Sequence, residues 1–311
     1  MELRYGILST SSIAPRFIAA VRGCGKGEIV ALSSRSLSKA QEKAALWDIP
    51  AAYGSHRELL QDEKVNIVYI SNVNAQHYPW AKEALLAGKH VICEKPCTTT
   101  AAHTKELYAL AREKGLFFME AQKMLFLPSV LAVKERLAEL GKITMAELSH
   151  SFPGSYNGWM FDKELGGGPL LSSGIYAVQL VHWLFGEITQ IHGTASMEKG
   201  VEWQYILTGR TETGVLFSAK NSTRAVLDNT CRIFGEKGYI ELPNYWKAQT
   251  VIFHIDGKEE TLEFPCQYEL VYEAEHIADC IEKGLLNSPV ITEELSLSGI
   301  RAIEKVKEGW R

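Results

Sequence analysis

Four short stretches carry side chains that could do chemistry. Near the amino terminus, "GILSTSSIAPRF" (6–17) places Ser9, Thr10, Ser11 and Ser12 between a strand-like run and a helical one, with Ile13 opening the helix. Backbone N–H groups at such a turn attract anions, and a hydroxyl can donate to a phosphate oxygen. In the dinucleotide fingerprint three small residues allow the tight turn, the close approach of the pyrophosphate and the helix packing. Here Ser9, Ser11 and Ala14 fill those slots, so the stretch reads as an ordinary strand–turn–helix as readily as a cofactor loop. At the end of the second strand-like run, Ser33, Ser34, Arg35 and Ser36 stand where a NAD-selective site wants Asp or Glu. Arg35 can stack on adenine and pair with a 2′-phosphate, which favours NADP, with NAD possible. In "HVICEKP", Lys95 precedes Pro96 and is biased to an extended conformation at a strand end, as a solvated loop lysine or as a reacting amine. Ser172 and Tyr176 lie four residues apart in a helical pattern and share a face.

These residues need a frame to hold them. Strand-like runs at 4–9, 28–34, 65–72, 90–95 and 116–120 alternate with helical patterns at 13–23, 37–48, 79–87 and 101–114. That alternation predicts βαβ units and a parallel sheet, and the near-continuous apolar strands fit burial on both faces. After Glu120 the pattern changes. Residues 188–264 read as an antiparallel meander with turns at "GRTETG" (209–214), "GEKG" (235–238) and "DGKEE" (256–260), followed by helices at 268–283 and 293–309. In "VEWQYILTG", Trp203, Tyr205 and Leu207 share one face, and Gln204, Ile206 and Thr208 share the other. The first face is expected to pack on helices and the second to meet solvent or a partner subunit. The expected fold class is α/β: a Rossmann domain over 1–120, then an α+β domain over 121–311 with a large, predominantly antiparallel open sheet.

Composition narrows the class. The 311 residues suffice for two cored domains, and a net charge of −4 without like-charge blocks offers no footprint for nucleic acid or anionic membrane. No apolar run approaches the roughly 18 residues of a membrane span, and "MELRYGIL" lacks a signal-peptide layout. Six scattered cysteines suit free thiols in the cytoplasm. Cys93 and Cys97 read as packing residues, and no metal site is expected.

Taken together, "AGKHVICEKP" (87–96), "NAQH" (74–77), "GGGPLLSSGIY" (166–176) and "RIFGEKGYIELP" (232–243) resemble the Gfo/Idh/MocA family of NAD(P)-dependent oxidoreductases along nearly the whole chain. The run "GGG…GIYAVQ" looks most like its dimeric dihydrodiol dehydrogenase branch. The resemblance implies a cofactor at the carboxyl ends of the parallel strands and a homodimer or higher oligomer through the open sheet. It implies that Glu94 holds the nicotinamide ribose, that Lys95 lies beside the reacting centre, and that Asn74 and His77 line the cofactor cleft with Asn72 at the strand end. His77 reads equally as the start of the helix of "YPWAKEALLAG". Tyr176 becomes the proton donor, since a neighbouring lysine and an oxidised nicotinamide favour its phenolate. Ser172 stands where relatives carry Asp and can assist only through hydrogen bonds.

Two further departures concern substrate. Leu125, Leu127 and Trp159 stand where relatives often carry an Arg, a His and an Arg, and loss of the guanidinium groups removes anchors for a carboxylate or phosphate. Gln122, Phe126 and Trp159 then either receive a neutral polyol, sugar or cyclic diol, or only seal apolar surface. The expected function is an NADP-preferring oxidoreductase acting on a hydroxyl-bearing carbon. The alternatives are a cofactor-binding regulator of the same fold and a redox-assisted lyase or glycosidase.

Overall fold

A computed structural model describes residues 2–154 and 158–310. Contacts divide the chain into two units, Met1–Gln122 with Tyr268–Glu293, and Lys123–Gln267 with Glu294–Arg311. No helix among the described residues is long and apolar enough to cross a membrane.

The first unit alternates β1 (Arg4–Leu8), α1 (Ala14–Cys24), β2 (Glu28–Ser33), α2 (Leu37–Leu46), β3 (Ala51–Tyr53), α3 (His56–Gln61), β4 (Ile67–Ile70), α4 (His77–Leu86), β5 (His90–Glu94), α5 (Ala101–Lys114) and β6 (Phe118–Ala121). The sheet is parallel, in the order β3-β2-β1-β4-β5-β6. Every residue of β4 is buried, as two helix-covered faces require. In α1 the buried residues Ala14, Phe17, Ile18 and Val21 follow helical spacing, Pro15 occupies the first turn and Gly25 ends the helix at φ 67°. Phe17 stacks on Tyr69 at 3.7 Å, fixing α1 across the sheet. The order reverses between β1 and β4, and in such sheets ligands bind outside the carboxyl ends at that switch.

The second unit places α6 (Pro128–Arg136), β7 (Ile143–Ser151) and α7 (Ile175–Phe185) ahead of β8 (Ile188–Glu198), β9 (Val201–Thr211), β10 (Leu216–Ser222), β11 (Thr230–Gly235), β12 (Gly238–Pro243), β13 (Thr250–Ile255) and β14 (Lys258–Glu263). Its eight strands run β14-β13-β12-β11-β7-β10-β9-β8. The expected meander is therefore broken: β7 enters between β10 and β11 and pairs parallel with β10, while the other pairings are antiparallel. The polar interruptions of "ITMAELSHS" conceal this strand, because only one of its faces is fully covered. The three turns fall between paired strands as expected. Tyr205 and Leu207 are buried and Ile206 is exposed, which bears out the alternation read from β9. The chain then returns through α8 (Val271–Glu282), which packs on α1, and ends in α9 (Glu293–Glu308).

Candidate active site

The carboxyl ends of the parallel strands gather polar groups that their buried interiors exclude. Beyond β1, Ser9 adopts φ 113°, a region that side chains rarely enter, and its N–H donates to Ser33 O at 3.2 Å. The backbone thus keeps the turn that a glycine normally supplies, at a cost of about 1–3 kcal/mol. Ser11 Oγ donates to Ser71 Oγ at 2.8 Å, joining the loops after β1 and β4. Neither Ser11 nor Ser12 caps α1, since Ile13 holds the cap position without a side-chain hydrogen bond. With no hydroxyl cap, the first turn of α1 offers backbone donors to an anion.

After β2, Ser34 is buried and its N–H donates to Tyr53 O at 3.2 Å, while Arg35 is exposed. Ser36 caps α2, accepting from Lys39 N at 3.3 Å. After β4, Asn72 Nδ2 meets His56 Nε2 at 3.1 Å, and buried Asn72 Oδ1 has no hydrogen-bond partner among the described residues. A buried acceptor of that kind fits a ligand hydroxyl. Asn74 is buried at the start of a 3₁₀ turn. His77 is buried as the first residue of α4, with Nδ1 2.7 Å from Pro96 O and Nε2 2.9 Å from Asn72 O. Its imidazole therefore pins the loop after β5 to the loop after β4. Burial lowers its pKa, and the two carbonyls oppose that.

At the end of β5, Glu94 Oε1 accepts from Tyr69 O–H at 2.6 Å, which fixes the carboxylate through a ring already stacked on Phe17. Lys95 follows. Burial lowers the pKa of its ammonium, and the Glu94 and Glu120 carboxylates work against that shift. Glu120, in β6, is buried and accepts from Cys97 N at 3.0 Å; Gln122 is buried just beyond the strand.

In the second unit the glycine run leads into a π-helical turn, Leu170–Gly174, continuous with α7. Ser172 Oγ donates to Gly168 O and Ser173 Oγ to Pro169 O, each reaching four residues back. Such bonds compete with the regular ladder and bend helices. Two neighbouring strands hold the turn. From β9, the buried carboxylate of Glu202 accepts from Leu170 N at 2.9 Å; from β10, Asn221 Nδ2 donates to Ser173 Oγ at 2.8 Å. Gly168, at φ 109°, is the residue that lets Glu202 approach, because a Cβ there would collide with the carboxylate. Tyr176 is buried in the first turn of α7, and Trp159 is half-buried in the 3₁₀ turn Gly158–Phe161. Leu125, Phe126 and Leu127 are all buried.

The expected cofactor positions Ser9, Ser11, Ser34, Arg35, Asn72, Glu94 and Lys95 thus stand at or just beyond strand ends of one sheet, while Ser172 lies in the π-helical turn and Tyr176 in the α7 that continues it. Two residues of this frame escape sequence reading. His56 lies in the unassigned stretch 51–61, where Ser55 and Glu58 form a capping box that could have announced α3: Ser55 Oγ accepts from Glu58 N, and Glu58 reaches back to Gly54 N. Glu202 belongs by alternation to the outer face. A register shift between Ser196 and Met197 turns it inward instead.

The family model described as "Oxidoreductase family, NAD-binding Rossmann fold" matches residues 3–122, and the GFO/IDH/MocA C-terminal domain matches residues 130–241. Trans-1,2-dihydrobenzene-1,2-diol dehydrogenase of Mus musculus is 33% identical over 310 residues, covering 94% of this chain and 92% of that protein. The Homo sapiens protein of the same name is 34% identical over 308 residues, with the same coverage. Among solved structures, a 3-ketoreductase from Actinomadura kijaniata in complex with NADP and TDP-benzene shares the fold at TM-score 0.91 and 23% identity, covering 99% of this chain and 98% of that one. A levoglucosan dehydrogenase in complex with NADH and levoglucosan does so at TM-score 0.90 and 18% identity, covering 99% and 97%.

Ser9→Gly should relieve the strained turn, raising stability by about 1 kcal/mol in a thermal melt and tightening NADPH binding in a fluorescence titration. Weaker binding in the glycine variant would show instead that the Ser9 hydroxyl contributes more than its backbone costs.

Proposed function

Since this chain belongs to the Gfo/Idh/MocA family of NAD(P)-dependent oxidoreductases, we propose that it oxidises or reduces a hydroxyl-bearing carbon of a cyclic diol or sugar, with NADP preferred over NAD. The observation that carries this reading is Lys95, an amine of lowered pKa at the carboxyl edge of the Rossmann sheet. The named relatives act on a cyclic diol, and loss of the basic anchors at Leu125, Leu127 and Trp159 suits an uncharged ring.

The strand-end residues fit the dinucleotide. Ser9, Thr10, Ser11, Ser12 and Ile13 present the turn and the start of α1 to the pyrophosphate. Ser34 and Arg35 take the 2′-phosphate, Asn72, Asn74 and His77 shape the loops beneath, and Glu94 accepts from the nicotinamide ribose. Bound there, the nicotinamide supplies the hydride acceptor for oxidation or the donor for reduction. In oxidation the substrate loses hydride from carbon and a proton from its hydroxyl. Tyr176 takes that proton, and Lys95 orients the hydroxyl. Ser172 has already committed its own proton to Gly168 O, so toward a substrate hydroxyl it acts as an acceptor. Gln122 and Trp159 are each proposed as substrate contacts.

The partner is expected to be a second copy of this chain. On the outer sheet face Ile206, Leu216 and Met145 are 60%, 45% and 42% exposed, and Tyr239 stacks on His254 at 4.2 Å with Phe234 beside it at 5.8 Å. Such an apolar band suits a homodimer interface. The six free cysteines suit a reducing compartment, the cytoplasm. Sedimentation should give a dimer that Ile206→Glu weakens; a monomer at every concentration would remove this assignment.

Turnover is tested by NADPH absorbance at 340 nm, formed or consumed, against a panel of diols and sugars. Tyr176→Phe and Lys95→Ala should each cut kcat by about 10²-fold or more, while NADPH affinity changes little. Because burial lowers the Lys95 pKa below 10.5, its ammonium is lost earlier than that of a free lysine. The alkaline limb of kcat should therefore lie below pH 10.5 and vanish in Lys95→Ala. Cofactor binding without turnover on any substrate would point to the regulator, and glycoside cleavage without net cofactor change to the lyase.

A further inference from the structure

Beneath the corner assigned to the 2′-phosphate runs a chain of side-chain hydrogen bonds with no part in hydride transfer. His56, the first residue of α3, is buried, with Nδ1 2.7 Å from Ser33 Oγ and Nε2 3.1 Å from Asn72 Nδ2. The partners dictate the tautomer. An amide N–H can only donate, so Nε2 accepts, Nδ1 carries the hydrogen, and that hydrogen goes to Ser33 Oγ. Ser33 Oγ in turn lies 3.5 Å from Ile7 O, completing a chain in one direction. The ring of Trp80 meets the imidazole edge-on at 4.7 Å and fixes its plane. Burial, aided by Arg35, lowers the His56 pKa to about 4, so the imidazole stays neutral at physiological pH as this chain of bonds demands.

Ser33 is where this chain acts. It ends β2 and is followed directly by Ser34 and Arg35, and its carbonyl also receives the N–H of Ser9 from the phosphate turn. Its hydroxyl bond to His56 fixes the side chain at the point where the strand releases the loop. A neutral imidazole there also adds no positive charge to compete with Arg35.

We propose that His56 is a positioning residue for cofactor selectivity, holding Ser33 so that Ser34 and Arg35 meet the 2′-phosphate of NADP. The proposal rests on the cofactor reading above. Selectivity is read by it as a difference between two ligands that share everything except that phosphate. A prop for the fold alone would weaken both equally.

The test measures dissociation constants of NADPH and NADH by fluorescence titration, for the unmodified chain and four variants. An asparagine amide can stand in for the Nδ1 side of histidine and a glutamine amide for the Nε2 side. His56→Ala and His56→Gln should therefore weaken NADPH about tenfold and leave NADH within about twofold, the size expected for one hydrogen bond to a loop that contacts a charged group. His56→Asn, which restores the donor to Ser33, should keep the NADPH preference. Ser33→Ala should reproduce the loss without touching the imidazole, and so reads the same link should His56→Ala fail to fold. Parallel weakening of both cofactors, or no change in their ratio, overturns the proposal. Equal affinity for NADPH and NADH in the unmodified chain overturns it too, yet leaves the oxidoreductase reading standing. Binding of neither cofactor overturns both.

Discussion

A parallel sheet covered on both faces has no interior room for polar chemistry, so its reactive groups can stand only where the strands run out. In the first unit that constraint is expressed through a few hydrogen bonds between successive strand-end loops. Ser9 donates to Ser33 O, Ser11 to Ser71, and His77 joins Asn72 O to Pro96 O. The loops after β1, β2, β4 and β5 are thereby one connected rim rather than four separate turns. Glu94 is held the same way, by a tyrosine whose ring is stacked in the layer below. Preorganisation of this kind lets an exposed edge hold a flexible dinucleotide without ordering each loop at the moment of binding.

The second unit solves a related problem with a π-helical turn. A regular helix through 166–176 would satisfy its own backbone and leave Ser172 and Tyr176 on an ordinary surface. Instead the two serines bond four residues back, Glu202 takes the N–H of Leu170, and Asn221 takes hold of Ser173. The buried carboxylate also acts as an opposing charge on Lys307, whose pKa burial lowers and Glu202 raises. Glu202 thus supports the turn that carries the proposed proton donor while remaining partly compensated inside the domain. Gly168 is required because nothing larger lets that carboxylate reach the backbone.

Most of this frame was legible in the sequence, for reasons that differ by element. The short apolar strands and amphipathic helices of the first unit follow from periodicity; α1 bears its Pro15 start openly but runs past Gly23, where the sequence pattern ends it, to a cap at Gly25. Lys95, Tyr176 and the strand-end serines are singled out by motif and position alone. What escaped notice is short or out of phase. The three residues of β3 and six of α3 give no period to detect, which hid His56. β7 was missed because a strand with one open face mixes polar and apolar residues, and its place between β10 and β11 is a long-range pairing that local sequence does not encode. Glu202 was hidden by a register shift that no alternation pattern reveals.

The conformation of Ser9 shows how far a motif can drift while its geometry persists: the backbone keeps the turn at φ 113° although the residue is no longer glycine. Whether the chain carries out hydride transfer is answered by following a labelled atom. A cyclic diol or sugar carrying deuterium at its hydroxyl-bearing carbon is incubated with the purified chain and NADP, and the recovered cofactor is weighed by mass spectrometry. One deuterium on the nicotinamide ring for each carbonyl formed is the expected result; bound but unlabelled cofactor across the whole panel would contradict it.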